Sequence, residues 1–385
     1  MPIPPLPYPS KLTYHEIASF TWKVIAALGV GVYAAVKFPF TANDNTKTFR
    51  AYVSHAFLRQ ITKSLSIRQI QSVITFIVIV MFVEMVMSLT HARLTTTGTS
   101  YNEFAKSREI VPYTSHWGET GHGFWVGSSS ANYVLVWFHG GNYYSPAHPA
   151  YFDYLNGIVE TVCRSIGNQF AVLVAPYTLA PHAKYPCQLR EGLDVLRYLV
   201  EVEAKEPGKI ILGGDSAGGN LVLGILSHLS HSHPDPSIPE GPYIQEDLAG
   251  ALLLVPWVSF DQTWPSIERN AERDCVSLVP SSVSAENWLG EKPLDFYNEP
   301  LRAPVDWWSN IKARQLLVVA GEDDLMVDSH EAFAANLKIS NPHKTEVVIA
   351  PGEGHIAPIL NLMLGDQSEY ESTRAMKKWL LSIVE

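Results

Sequence analysis

A serine in a glycine-rich turn is the first residue of this sequence that could act as a nucleophile. Ser216 lies in Gly214-Asp215-Ser216-Ala217-Gly218-Gly219, which follows the aliphatic run 209–213 and precedes an apolar helical segment. Small neighbours are needed in such a strand-to-helix turn, because its backbone is strained and the helix packs close to the sheet. The helix N-terminus also favours a negative charge beside the serine. The motif in this setting predicts nucleophilic catalysis by Ser216, against the alternative of an incidental serine in a turn.

A second glycine-rich segment, His139-Gly140-Gly141-Asn142, ends the predicted strand 133–138. Glycines in such a loop let backbone N–H groups turn toward a carbonyl oxygen, where they stabilise the charge that develops on it. We expect the donors of this oxyanion hole to be the amides of Gly141, Asn142 and Ala217, with Gly140 shaping the turn.

The general base is expected at His355, which follows the predicted strand 345–350 and precedes the last helix. A catalytic serine needs a base that takes its proton and returns it to the leaving alcohol. The other candidate, His139, is expected to support its own loop.

A carboxylate should precede this histidine in the chain. The segment Gly321-Glu322-Asp323-Asp324-Leu325-Met326-Val327-Asp328 offers four carboxylates, and position alone does not choose among them. A cation site or a solvated loop are alternatives for this cluster, although its spacing fits no EF-hand loop.

Short aliphatic runs alternate with longer helical segments from residue 133 onward, which is typical of a mostly parallel sheet covered by helices. The strand candidates are 133–138, 171–176, 209–213, 250–255, 315–320 and 345–350. The helix candidates are roughly 151–166, 187–204, 217–230, 328–339 and 369–384, long enough for the crossovers between parallel strands. The predicted fold class is α/β, with a doubly wound, mostly parallel sheet.

Two regions depart from this alternation. Residues 261–310 hold several aromatic residues among prolines and charges, which suits either a helical insertion over a pocket or a packed surface excursion.

Among the first hundred residues, the apolar run 24–36 would span only about 20 Å as a helix, too short to cross a bilayer unaided. Run 73–89 is at the lower limit for a spanning helix and contains Glu84. Membrane contact through residues 73–89 and a buried cap helix are both compatible with this composition.

Composition argues against several classes of function. The formal net charge is −10 with 28 Lys and Arg, so nothing attracts a phosphate backbone at long range, and we expect no nucleic-acid partner. Three cysteines are too few and too far apart for a disulfide framework or a zinc site. No P-loop, dinucleotide fingerprint or H-E-x-x-H motif occurs, so no metal and no cofactor are expected. The N-terminus lacks the order of a signal peptide and the chain has no N-x-S/T sequon, which favours an intracellular protein.

From about residue 131 to its end, the chain resembles the hormone-sensitive-lipase-like branch of the α/β-hydrolases, which includes arylacetamide deacetylase and steryl-acetate deacetylases. The resemblance covers about two thirds of the chain. It is carried by His139-Gly140-Gly141, Tyr177-Thr178-Leu179-Ala180-Pro181 continuing to Pro186, Gly214-Asp215-Ser216-Ala217-Gly218-Gly219, and the acid segment with His355.

In that family the acid is followed four residues later by a second aspartate, so the resemblance implies Asp324, followed by Asp328, as the acid ahead of Asp323. Two residues depart from the family pattern. Asn142 stands where a third glycine is usual, which still leaves a backbone donor but weakens any specificity inferred from the family. Leu325 stands where many relatives have proline, which bears on the choice of acid.

The resemblance also implies that segments before the core and between the later strands form a cap. Residues 1–125 are therefore expected to be an N-terminal cap or membrane-associated region. Residues 126–385 are expected to be the α/β-hydrolase catalytic domain, with 261–310 as a cap insertion.

These residues together predict a serine carboxylic-ester hydrolase, a carboxylesterase or deacetylase acting on a hydrophobic small-molecule ester through an acyl-enzyme. The same residues would serve an acyltransferase or a lactonase. A non-catalytic small-molecule-binding protein is a further alternative, since plant gibberellin receptors resemble the family but lack the catalytic histidine. The presence of His355 argues against it. The sequence predicts neither the substrate nor the oligomeric state.

Overall fold

The computed structural model describes residues 13–38, 49–65, 69, 96–276 and 281–384. Its sheet has eight strands: β1 (Thr114–Trp117), β2 (Gly121–Val126), β3 (Tyr133–Phe138), β4 (Phe170–Val174), β5 (Ile210–Asp215), β6 (Gly250–Leu254), β7 (Leu316–Gly321) and β8 (Thr345–Ala350). They lie in the order β1-β2-β4-β3-β5-β6-β7-β8. The pairs β1–β2 and β2–β4 are antiparallel, and every later pair is parallel.

This arrangement confirms the predicted α/β class and the mostly parallel sheet. Two predicted strands, 133–138 and 345–350, coincide with β3 and β8, and the other four lie within about two residues of their observed ends. The hairpin β1–β2 was not among the predicted strands. Its strands are short, and their burial is only partial over His116 and His122, so they lack a continuous apolar run. The sheet therefore begins at residue 114, inside the region that was expected to be a cap.

Helices cover both faces of the sheet. They are α1 (Tyr14–Lys37), α2 (Phe49–Ser64), α3 (Thr97–Ser107), α4 (Pro149–Ile166), α5 (Cys187–Arg197), α6 (Ala217–Ser230), α7 (Pro265–Arg269), α8 (Ser281–Leu289), α9 (Val327–Ser340), α10 (Ala357–Met363) and α11 (Glu371–Val384). The predicted helix 187–204 ends its α-helical part at Arg197 and continues as a π-helical turn, Tyr198–Val202.

The alternation of side chains along β3 explains the two layers of helices. Val134, Val136 and Phe138 belong to one hydrophobic core, which also contains residues of α5, α6 and α9. Leu135 and Trp137 belong to a second core, formed with residues of α4 and α11. A central parallel strand must bury both of its faces, and this one is apolar throughout.

The N-terminal helices pack against the end of the chain that follows β8. Phe20 of α1 and Phe57 of α2 share a third hydrophobic cluster with Leu364. His55 of α2 also lies close to α10, where its Nε2 atom is 2.8 Å from the Oδ1 atom of Asn361. The described part of the N-terminal region is therefore attached to the segment that carries the predicted base.

Helix α1 is longer than the apolar run 24–36 from which it was inferred. It begins at Tyr14, and at 1.5 Å per residue its 24 residues extend over about 36 Å. Within the described residues, it is the one helix long and apolar enough to cross a membrane by length and composition alone. One face of this helix is buried in the protein, at Phe20, Ala27 and Ala34. The other run, 73–89, lies outside the described residues.

Candidate active site

The structure places Ser216 at the sharp turn between β5 and α6. Its backbone has φ 51° and ψ −117°, a conformation that non-glycine residues rarely adopt. Two main-chain bonds hold this turn: the amide of Ser216 donates to the carbonyl of Leu254 at 3.0 Å, and the amide of Trp257 donates to the carbonyl of Ser216 at 2.9 Å. The predicted strand–turn–helix setting is present, and it aims the serine side chain away from the sheet.

Three predicted residues form one hydrogen-bonded chain. The Nε2 atom of His355 lies 2.9 Å from the Oγ atom of Ser216, and its Nδ1 atom lies 2.8 Å from the Oδ2 atom of Asp324. Because a carboxylate can only accept, we assign the proton to Nδ1, which leaves Nε2 free to accept the proton of the serine hydroxyl. All three side chains are buried.

Each member of this chain follows a parallel strand. Ser216 follows β5, Asp324 follows β7 and His355 follows β8. The carboxyl ends of parallel strands meet at one edge of the sheet, which is why residues far apart in sequence come together here.

The other carboxylates of the acid segment have different partners. Asp323 forms an ion pair with Arg273 at 2.8 Å. Asp328 pairs with Arg269, and Glu322 accepts the amide of Gly352 at 3.2 Å. Of the four carboxylates, Asp324 is the one bonded to His355.

Burial and neighbouring charges have opposite effects on the pKa values of His355 and Asp324. Burial disfavours the charged form of His355, but the adjacent Asp324 carboxylate, together with Asp274 and Asp215, outweighs it and raises the pKa of His355 to about 9. Burial likewise disfavours the ionised form of Asp324, yet His355 lowers the pKa of this carboxyl below its usual value. The pair therefore favours an ionised aspartate beside a protonated imidazole, and Nε2 is free to accept the serine proton only in the neutral form of His355.

The predicted oxyanion loop lies against the serine. A Cβ atom at Gly140 would clash with the Oδ2 atom of Asp215 and lie 3.1 Å from the Cβ atom of Ser216, so glycine is required for this approach. Gly141 has φ 104°, which a side chain would strain, and Asn142 follows at φ 53°.

The amides of this loop do not all have the same role. The amide of Gly140 donates to the carboxylate of Asp215 at 3.1 Å. In the described part of the chain, by contrast, the amides of Gly141, Asn142 and Ala217 donate to no acceptor. The donors that were expected to be available for a substrate oxygen are thus unoccupied, whereas Gly140 fixes the turn.

Asp215 is a functional residue whose role was not predicted, although it stands inside the nucleophile motif. Its buried carboxylate accepts from Trp137 at 3.2 Å, Gly140 at 3.1 Å and the hydroxyl of Tyr151 at 2.7 Å. Burial raises the pKa of Asp215 to about 6 against the effect of these donors. Through these bonds the residue before the serine ties the nucleophile turn to the oxyanion loop.

His139 supports the same loop from inside the protein. Its side chain is fully buried and stacks on the ring of Tyr177, with a centroid distance of 4.6 Å. Burial lowers its pKa to about 4, so this imidazole is neutral at neutral pH. The structure gives it no contact with Ser216.

Aromatic side chains lie beyond the oxyanion loop. Tyr143 stacks on Trp288 of α8 at 3.9 Å, and Trp257, whose amide binds the Ser216 carbonyl, lies 6.3 Å from the same indole. Asn220 links two of these aromatic residues. Its side chain accepts a hydrogen bond from the hydroxyl of Tyr143 at 2.7 Å and donates one to the carbonyl of Trp257 at 2.7 Å. Trp288, which lies within residues 261–310, therefore packs on aromatic residues that adjoin the oxyanion loop and the nucleophile turn.

Comparison with known proteins identifies the family of the chain. Residues 135–358 match the alpha/beta hydrolase fold family, and the chain belongs to that family. Within the residues that the structure describes, no group of three or more His, Cys, Asp or Glu side chains is placed to hold a metal ion.

Two of the relatives are named as a steryl acetyl hydrolase and a probable carboxylesterase. The chain is 25% identical to steryl acetyl hydrolase 1 of Saccharomyces cerevisiae over 248 residues, 59% of this chain and 54% of that protein. It is 27% identical to probable carboxylesterase 6 of Arabidopsis thaliana over 243 residues, 59% of this chain and 65% of that protein. The chain thus matches less than two thirds of the length of either relative.

Among solved structures, an esterase from the bacterial hormone-sensitive lipase family matches with a TM-score of 0.56 and 22% identity, covering 80% of this chain and 97% of that one. This likeness supports the fold, and together with the sequence relatives it confirms the resemblance found from the motifs.

Proposed function

We propose that this protein is a serine hydrolase that cleaves a carboxylic ester of a hydrophobic small molecule, with Ser216, His355 and Asp324 as its catalytic residues. The observation that carries the proposal is the hydrogen-bonded chain from the Oγ atom of Ser216 through His355 to Asp324. The names of two relatives, a steryl acetyl hydrolase and a probable carboxylesterase, support the same class of reaction.

The first half of the reaction forms an acyl-enzyme. His355 takes the hydroxyl proton at Nε2 while the Oγ atom of Ser216 attacks the ester carbonyl carbon. The carbonyl oxygen becomes negatively charged, and the amides of Gly141, Asn142 and Ala217 stabilise it. When the bond to the leaving oxygen breaks, His355 gives its proton to that oxygen, and the alcohol departs.

Water completes the cycle by the same route. His355 takes one proton of the water, the hydroxyl attacks the acyl carbon, and the bond to Ser216 breaks as the proton returns to Oγ. Asp324 remains ionised throughout, because its role is to orient the imidazole and stabilise the imidazolium. No cofactor is required for these steps.

The aromatic group around Tyr143 and Trp288 supports a hydrophobic substrate. Both side chains are buried; Tyr143 directly follows the oxyanion loop in the chain, and Trp288 stacks on it. Apolar side chains with a few fixed polar groups are typical of small-molecule sites. We expect this buried aromatic pair to leave room for a short acyl group, of which acetyl is the smallest common example.

Labelling with a fluorophosphonate tests the nucleophile directly. We expect a single stoichiometric adduct by intact mass in the wild type and in Ser227→Ala, a control at a buried serine of α6. Ser216→Ala and His355→Ala should give none. Hydrolysis of 4-nitrophenyl acetate should follow the same pattern. A folded wild-type protein without adduct or hydrolysis would contradict the proposal and favour a binding protein on this fold.

We further propose that α1 contacts a membrane surface with the face that does not pack on the protein. Trp22, Ile25, Val32 and Val36 recur at helical spacing on that face and are 54–72% exposed. The opposite face packs on α2. A helix fixed on one side and apolar on the other suits a position in the plane of the bilayer interface.

Flotation with phosphatidylcholine vesicles tests this contact. The triple variant Trp22→Gln, Ile25→Gln, Val36→Gln should float less than the wild type. A matched triple variant at exposed apolar residues elsewhere, Val202→Gln, Tyr243→Gln, Ile339→Gln, should float like the wild type. Equal flotation of both variants would contradict a membrane role for α1.

A further inference from the structure

A buried carboxylate outside the predicted triad joins the two loops that carry its acid and its base. Asp274 lies after α7, and its side chain is fully buried. Its Oδ1 atom accepts the amide of His355 at 2.9 Å, and its Oδ2 atom accepts the amide of Leu325 at 2.8 Å. Leu325 directly follows Asp324, so one side chain holds the loop after β7 and the loop after β8.

We propose that Asp274 is a positioning residue for the ester hydrolysis proposed above, on which this inference rests. Its carboxylate fixes the backbone of His355 relative to that of Asp324, so that the imidazole stays in line between the acid and Ser216. The reaction needs this alignment because a displacement of about 1 Å at a reacting group can cost roughly 10²-fold in rate.

Burial and the nearby Asp324 carboxylate raise the pKa of Asp274, but its hydrogen-bond contacts are those of an ionised acceptor. Besides the amides of His355 and Leu325, its Oδ1 atom accepts the amide of Cys275 at 2.6 Å and the amide of Val276 at 3.4 Å. The thiol of Cys275 lies 3.3 Å from the same Oδ1 atom and 3.1 Å from the carbonyl oxygen of His355, so its single proton can be donated to either acceptor. Every one of these partners is a donor, which is the pattern that satisfies a buried carboxylate.

The segment that carries Asp274 is itself held by α2. The Nη1 atom of Arg59 donates to the carbonyl oxygen of Asp274 at 2.7 Å and to that of Glu272 at 2.8 Å. The guanidinium thus fixes the main chain of Asp274 from outside, while the carboxylate reaches inward to the triad loops. An N-terminal helix is in this way connected to the base through two hydrogen-bonded steps.

Asp274 also belongs to the group of charges around His355. Its charge raises the pKa of the imidazole, after the larger effects of burial and Asp324. The titratable and charged groups that face this cluster are Asp324 and His330 beside the start of α9, Asp215 after β5, Asp274 and Cys275 after α7, and Arg59 of α2. Of these, His330 lies 3.8 Å from the Oδ2 atom of Asp324 and is held neutral by burial, which lowers its pKa to about 4.

The test is Asp274→Asn, which keeps the size of the side chain but removes its charge. We expect kcat for 4-nitrophenyl acetate to fall about 10- to 100-fold with KM changed less than about threefold, as for a group that aligns the base. The acid limb of the kcat/KM profile should move about one pH unit or more to lower pH, because a nearby negative charge has been lost. Asp306→Asn, the same change at an exposed residue of the same insertion, should behave like the wild type.

A role in folding alone would leave the pH profile of the remaining activity in place, so an unshifted profile would overturn the proposal. If Asp274→Asn does not fold, Gly354→Ala serves instead, since a Cβ atom there would lie 2.6 Å from the Oδ1 atom of Asp274 and displace it. This variant should also lower kcat, and wild-type kcat in it would overturn the proposal.

If the proposed hydrolase function is wrong, the wild type itself will lack hydrolysis and fluorophosphonate labelling. That result differs from a failure of the inference about Asp274, which concerns only the variants. The titration of His355, followed by NMR with ¹³C-labelled histidine and assigned with His355→Gln, does not depend on turnover. We expect the pKa of His355 to be lower in Asp274→Asn than in the wild type. An equal pKa would overturn the electrostatic part of the inference even in an inactive protein.

Discussion

Asp323 and Asp324 are neighbours in the chain, yet their carboxylates face different partners. The carboxylate of Asp324 lies 2.8 Å from the Nδ1 atom of His355, whereas that of Asp323 pairs with Arg273 at 2.8 Å. Asp324 is also held by the amide of Met326, which donates to its Oδ1 atom at 2.8 Å. The structure thus gives the two residues separate environments that their positions in the sequence do not distinguish.

Substitution of these two residues should separate their roles. Asp324→Asn removes the acceptor that fixes the tautomer of His355, so we expect kcat to fall about 10³-fold or more. Asp323→Asn removes an ion pair with a half-exposed arginine and should change kcat less than about tenfold. Steady-state hydrolysis of 4-nitrophenyl acetate measures both. Similar losses in the two variants would argue against Asp324 as the acid.

Activity should increase with pH. His355 must be neutral to accept the serine proton, and its pKa is raised to about 9. We therefore expect kcat/KM to rise from pH 6 toward pH 9 and then to level off, as a pH profile of the initial rates would reveal. In His355→Gln no such titration should remain.

The contribution of His355 to the stability of the folded protein should decrease as the pH rises. The pKa of His355 is raised from 6.5 in the unfolded chain to about 9 in the fold, so its proton stabilises the folded state below pH 6.5. This contribution is lost as the pH rises through about 9. Urea unfolding of the wild type and His355→Gln at several pH values should give free energies of unfolding whose difference shrinks across this interval. A difference that grows with pH would contradict the assigned sign.

The oxyanion loop can be tested with two adjacent substitutions. Gly141→Ala places a side chain at φ 104° and within 2.9 Å of the Cβ atom of Ser145. We expect this change to displace the amide of Gly141 and to lower kcat about 10²-fold. Asn142→Gly keeps both the amide and the positive φ, so its kcat should stay within about threefold of the wild type. A large loss in Asn142→Gly would indicate that the asparagine side chain itself contacts the substrate.

Trp288 should limit the length of the acyl group. Trp288→Ala removes the ring that stacks on Tyr143, so we expect the ratio of kcat/KM for hexanoate over acetate esters to increase. The free energy of unfolding should fall by about 3–5 kcal/mol, because a buried indole is lost. Trp308→Ala, at a buried tryptophan that packs on Phe333, offers a control of similar stability cost. An unchanged chain-length preference in Trp288→Ala would contradict this role.

The secondary-structure elements that could be predicted from the sequence are those that contain a continuous run of apolar residues. The run Tyr133–Phe138 is buried on both faces, so its limits are visible in composition. Thr114–Trp117 is partly exposed and has no such run. The nucleophile turn was likewise predictable, since Ser216 and its small neighbours lie within a single short motif.

Contacts between distant segments could not be predicted in this way. Asp274 has no motif around it, and its partners Leu325 and His355 lie 51 and 81 residues further along the chain. The choice between Asp323 and Asp324 came from a resemblance to a family and not from chemistry, because adjacent carboxylates differ only in where the folded loop points them.

The hydrogen bonds from α2 to the loops around His355 bear on how the chain could be shortened. His55 is bonded to Asn361, and Arg59 to the carbonyl of Asp274, whereas the family match begins only at residue 135. Removing the residues before 135, in order to remove the apolar N-terminus, would leave the side chain of Asn361 and the carbonyl of Asp274 without these partners. A soluble version is better sought by changing the outward face of α1 and keeping α2, since the attachment of the catalytic loops begins there.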